Sequence, residues 1–145
     1  MAIYSKHQVR LIAATDGTSY KSKIFERDDK TTHEVERSDF QASHGDTVVI
    51  NNSAHTVTLV NTGLSVIRAI YIKTSGNITV DLLDDTAATN EITGLVLGGA
   101  AGTAAAVFYA EIAGFAIAAS DTFVLTEPDT EAVTVTYLLL GDDDV

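Results

Sequence analysis

From Asp46 onward the apolar residues of this chain recur at every second position, the period of a strand with one buried and one outward face. The closing run is the clearest: Val133, Val135, Tyr137 and Leu139 alternate with Thr134, Thr136, Leu138 and Leu140 until Gly141. The β-branched runs 47–51 and 56–60, separated by Asn52, Ser53, Ala54 and His55, read as a hairpin. In the next strand Val66, Arg68, Ile70 and Ile72 are expected on one face, with Ile67, Ala69, Tyr71 and Lys73 on the other. Ser75-Gly76 then turns the chain into Ile78, Val80 and Leu82, a second hairpin. Further strands are predicted at 92–97, 105–112, 115–119 and 121–126, with 84–90 a loop and Glu127-Pro128-Asp129 a turn. Short strands spaced in this way, with few helix signals, predict an all-β fold, an antiparallel β-sandwich or barrel.

Charge divides the chain. Seven of its nine Lys and Arg residues lie in the first 45 positions: Lys6, Arg10, Lys21, Lys23, Arg27, Lys30 and Arg37, matched there by seven acids. The other 100 residues hold only Arg68 and Lys73 against 13 acids, so the net charge of −11 belongs to them. This predicts an N-terminal arm or extension over 1–45 and a sandwich domain over 46–145. Within the arm, 8–14 reads as a strand and Asp16-Gly17 as a turn, with a short helix over 29–40 as a competing local reading. Ile24, Phe25, Val35 and Phe40 are the only larger apolar residues of 21–42, too few for a core. Such a segment forms either a hairpin laid on the body or an extended arm that orders against a neighbour. Its candidate contact residues are Lys21, Lys23, Phe25, Arg27, Lys30, Arg37 and Phe40, where both charge signs can bridge neighbours through ion pairs. Nucleic acid is not an expected partner, because phosphate contacts need clustered positive charge and the body is acidic.

The segment 94–119 has the small-residue look of a packed membrane helix, with Gly98, Gly102 and Ala106 at four-residue spacing. Glu111 inside it, the absence of flanking Lys or Arg, and its five glycines suit turns between short strands instead. No membrane association is expected, and this stretch fits either a close subunit interface or the sandwich core. The N-terminus lacks the basic-then-apolar order of a secretory signal, and the lack of cysteine suits a reducing cytoplasm.

Catalytic chemistry is not legible. The chain has no cysteine nucleophile, no phosphate-binding loop and no His-Glu-x-x-His, and nothing helical is predicted after Gly98-Gly99-Ala100-Ala101-Gly102. No enzyme activity, catalytic residue or cofactor is expected. His7, His33, His44 and His55 form no metal-ligand spacing, although the last three recur every eleven residues and could meet about a symmetry axis. Asp84-Asp85 and Asp142-Asp143-Asp144 could donate oxygens to a calcium ion, with Asp84 and Asp85 the candidates, but neither cluster has the alternating order of a calcium loop and both read better as a solvated acidic edge. A glycan-binding module remains an alternative. Against it stand the absence of Trp and the placing of Tyr71, Tyr109 and Tyr137 within strand patterns.

The runs Val66-Ile67-Arg68-Ala69-Ile70-Tyr71-Ile72 and Ser75-Gly76-Asn77-Ile78-Thr79-Val80 and the closing stretch 132–142 carry a resemblance. Over 65–142 the chain resembles small structural proteins of tailed-phage virions. That resemblance implies a jelly-roll-like sandwich and a capsid decoration, or cement, protein. Such a protein is made in the host cytoplasm, resides in the virion, forms a homo-oligomer such as a trimer, and binds the major capsid protein or another virion component. A neck or tail-associated protein is the alternative within the same class. No catalytic residue comes with the resemblance.

Overall fold

The computed structural model describes residues 3–7, 10–14, 23–28, 33–83, 92–98, 105–129 and 131–144, with side chains from Phe40 onward. The chain divides into two units, Ala2–Ser38 and Asp39–Val145.

The first unit is built from strand pairs. Its strands are β1 (Ile3–His7), β2 (Arg10–Ala14), β3 (Lys23–Asp28) and β4 (His33–Phe40), the last running into the second unit. β2 and β3 are antiparallel, with Arg10 opposite Asp28, Leu11 opposite Arg27 and Ala13 opposite Phe25. β1 pairs with β4, so one pair nests inside the other. Of the stretch 29–40, for which a short helix is the competing local reading, His33–Phe40 is a strand. Helix propensity in that stretch is weak, and β1 supplies the backbone partners that a helix would otherwise provide.

The second unit holds β5 (Ala42–Ile50), β6 (Ala54–Thr58), a single 3-10 turn (Leu59–Asn61), β7 (Leu64–Thr74), β8 (Ile78–Leu83), β9 (Ile92–Leu97), β10 (Ala106–Ala116), β11 (Thr122–Thr126) and β12 (Val133–Asp143). β5 runs through positions 45 and 46, where charge and the onset of alternation placed the domain boundary. Two four-stranded antiparallel sheets, in the orders β10-β7-β12-β5 and β6-β11-β8-β9, pack as a β-sandwich. The pairings nest about the β8–β9 connection: β8 with β9, β7 with β10, β6 with β11, β5 with β12. This unit is in effect one long hairpin, with β8 and β9 at its tip, rolled so that the other successive strands alternate between sheets.

That alternation corrects two expectations. The runs 47–51 and 56–60 are not hairpin partners, since β5 and β6 lie in opposite sheets, and the same holds for β7 and β8. Polar turn residues serve both a hairpin and a corner between sheets, and the choice falls to partners distant in sequence. At the β5–β6 corner Asn52 takes a φ of 43°, a left-handed conformation that Asn tolerates. At the β7–β8 corner the Thr74 hydroxyl donates to the Gly76 carbonyl at 2.7 Å, while the Ser75 and Thr134 amides bond across to β12 and back.

The core lies between the sheets, with Ile70, Ile72, Val135, Tyr137 and Leu139 from one facing Ile78, Val80, Leu82, Phe123 and Leu125 from the other. The faces of β7 change parity partway along. Ile67, not Val66 or Arg68, shares the core with Ile70 and Ile72. The cause is a bulge at Arg68: on β12 Leu140 faces Ala69 and Gly141 faces Ile67, and on β10 Glu111 faces Ala69 while Phe115 faces Ile67. The same irregularity merges the expected strands 105–112 and 115–119 into one, β10, bent at Gly114 with a φ of 113°.

Candidate functional site

With the inner face of the β10-β7-β12-β5 sheet committed to the core, the strand registers line up the side chains of its outer face in rows, half-buried at Tyr71 and Leu138 and buried at Ala69 and Leu140. One row runs Tyr109, Tyr71, Leu138, Gly45 across the four strands. The next runs Val107, Lys73, Thr136, Thr47, and a third Glu111, Ala69, Leu140, Ser43. Neighbouring strands lie about 4.8 Å apart, so each row is roughly 14 Å long.

A shallow groove of about 620 Å³ crosses this face, lined by Ser43, Gly45, Asp46, Thr47, Tyr71, Thr136, Tyr137 and Leu138. Tyr71 and Leu138 are half-buried side by side. The Thr47 and Thr136 hydroxyls are 2.9 Å apart, and Asp46 accepts a hydrogen bond from the Thr47 amide at 2.7 Å. Gly45 lets β5 lie close to β12: a Cβ there would stand 2.5 Å from the Tyr137 carbonyl oxygen. At the far end of the row the Tyr109 hydroxyl meets Glu111 at 3.1 Å.

Beneath the groove Tyr137 is a core residue. Its ring lies 5.5 Å from Phe123, 6.2 Å from His44 and 5.9 Å from His55. Burial, and secondarily the negative charge of Asp46, pushes its phenol above the usual range. Of the three histidines spaced by eleven, the structure thus brings two, His44 and His55, to the ring of one tyrosine. His55 Nε2 is buried there with no hydrogen-bond partner. Among the described residues no three His, Asp or Glu side chains converge as a metal-ligand group. Among them, too, no helix is long and apolar enough to cross a membrane.

Of the candidate contact residues, Lys23, Phe25 and Arg27 sit on β3 and Arg37 on β4. Phe40 is fully buried, so it presents no free apolar contact. Lys21, Lys30, Asp84 and Asp85 lie outside the described residues.

Two acids are buried, Glu127, which reads as a turn residue, and Asp121, which reads as the start of a strand. Glu127 accepts hydrogen bonds at 2.6 Å from the Asn52 and Asp129 amides, tying the β5–β6 and β11–β12 corners together. At the opposite end Asp121 accepts from the Ala118 amide at 2.7 Å, while its own carbonyl accepts from the Leu59 amide at 3.0 Å. Only their position between strands marks them in sequence, and nothing local distinguishes a buried carboxylate from a solvated one. Comparison with protein-family models, curated proteins and solved structures finds no match to this chain.

Proposed function

We propose that this chain is a non-enzymatic structural protein of a virus particle, a decoration protein that self-assembles and stabilises the head of a tailed phage. The observation that carries the reading is the strand order. Two sheets in the orders β10-β7-β12-β5 and β6-β11-β8-β9, with nested pairings, suit the double Greek key of the jelly roll, an architecture used by viral capsid and lectin domains. The residues that carry the resemblance to phage virion proteins fall on β7, β8 and β12, strands central to these sheets.

Two further features support assembly. The edge strands β9 and β10 together carry one charged residue, Glu111, and expose Val96 and Val107 at 54 % and 66 %. Monomeric sandwiches usually guard such edges with charge, and an unguarded edge is a template for pairing with another chain. The separate strand-paired unit Ala2–Ser38 gives the protein a second body with which to reach a shell.

Light scattering on the purified protein, followed by sedimentation with phage heads stripped of minor proteins, tests the proposal. A cyclic oligomer that pellets with the heads is expected. A monomer that stays in the supernatant overturns the reading.

A further inference from the structure

At one end of the sandwich the β5–β6, β7–β8 and β11–β12 connections meet, and we propose that Asn77, Glu127 and Asp129 bind a calcium ion there. Neither head attachment nor self-assembly bears on this site, so it stands apart from the virion reading.

The three residues are already linked. Glu127, only 2 % exposed, accepts from the Asn52 amide through Oε2 and from the Asp129 amide through Oε1. Asp129 Oδ2 in turn accepts from Asn77 Nδ2 at 3.2 Å. The other arm of that same planar amide, Asn77 Oδ1, is buried without a hydrogen-bond partner, in a residue only 7 % exposed. A buried oxygen left without a donor is costly, and a cation bound to it removes the cost.

Charge points the same way. Glu127 and Asp129 follow each other at an interval of two, and neither forms an ion pair among the described residues. A buried carboxylate is ordinarily paired or bound to a metal. Glu127 has backbone amides instead, and each of its oxygens keeps a second lone pair free for a cation. The chain's net charge of −11 draws cations to its surface.

Donor chemistry then selects the ion. Two carboxylates and one amide oxygen, with no nitrogen or sulfur among them, favour a hard cation over zinc. Calcium takes about six to eight oxygens in irregular geometry and completes its shell with water, whereas magnesium demands a near-ideal octahedron. Glu127, Asp129 and Glu131 also alternate along the chain, the order that 84–85 and 142–144 lack. No three carboxylates converge among the described residues, which makes the Asn77 oxygen the third side-chain donor. With only two carboxylates the site belongs to the weak class, with a Kd of about 10⁻⁴–10⁻³ M.

The test is a calcium titration of the EDTA-treated full-length protein, read by calorimetry and by thermal midpoint, with magnesium in parallel. Saturable binding of one calcium ion per chain is expected, with a midpoint raised by several degrees. Asp129→Asn, which keeps an oxygen for Asn77 to reach, should weaken calcium tenfold or more while leaving the midpoint in EDTA unchanged. Asn77→Ala should weaken it several-fold, and Asp144→Asn, on the exposed acidic tail, should not weaken it. The proposal is overturned if calcium shows no saturable binding, if magnesium binds as tightly, or if Asp129→Asn binds like the wild type. Equal weakening by Asp144→Asn would also overturn it, by assigning the calcium to the acidic surface at large.

Discussion

Arg68 holds Asp142 through two parallel hydrogen bonds, Nε to Oδ1 at 2.8 Å and Nη2 to Oδ2 at 2.7 Å, across the β7–β12 pair at the bulge. Arg68 is one of two cations in the last 100 residues, and it stands where the register of three strands shifts. The bulge lets Ile67 enter the core, and the fork of the guanidinium holds the end of β12 against it.

The Arg68 hydrogen bonds draw the Asp142 carboxyl below the usual carboxylate range, against an opposing push from partial burial. Because the folded value is depressed, the contribution is present above the unfolded value near 3.8 and is lost as pH falls through the lower folded value. The side chains are 38 % and 23 % exposed, so solvent screening limits the pair to about 0.5–1 kcal/mol. Urea unfolding of wild type and Asp142→Asn should differ by that amount at neutral pH, and the difference should shrink progressively as pH falls below 3.8. A difference that persists in acid would assign the effect to packing.

Gly141 permits the close approach of β12 to β7 at the same bulge. A Cβ there would overlap the Val66 carbonyl oxygen, a backbone atom that cannot swing away. Gly141→Ala should cost about 2–4 kcal/mol in urea unfolding, at the severe end for single substitutions. A cost below that of an exposed-strand alanine would show that the two backbones are not in contact.

Glu127 offers a different test, since its carboxylate serves two backbone amides from inside the fold. Glu127→Ala leaves both donors without a partner and should cost about 2–4 kcal/mol. Glu127→Gln keeps one acceptor and should lose roughly half as much. Thermal unfolding of the two variants side by side reads the ratio.

Tyr137 should make the fold sensitive to base. Burial raises its phenol, so stability is full below the unfolded value of 10.0 and declines as pH rises beyond it. Tyr137→Phe should flatten the decline between pH 10 and 12, as followed by circular dichroism.

Much of the sandwich was legible because its signal is local. The alternation of Val133, Val135, Tyr137 and Leu139, and of Ile78, Val80 and Leu82, states which face is buried, and all seven residues are in the core. What was not legible depends on strands far apart in sequence. Asn52-Ser53 and Ser75-Gly76 look the same in a hairpin as in a corner, and only the pairing of β5 with β12 and β7 with β10 separates the cases. Ile67 exchanged faces with Val66 and Arg68 through a bulge created with Gly141 and Gly114, which lie more than 40 residues away in sequence. The groove was hidden for the same reason, since Tyr71, Leu138 and Gly45 become neighbours only once the registers are known.

We propose that this chain coats a phage head. Electron cryomicroscopy of stripped heads incubated with the full-length protein tests it most directly. Ordered density repeated across the capsid lattice, absent from heads alone, is expected. Bare capsids, or density confined to one ring at a vertex, would contradict it.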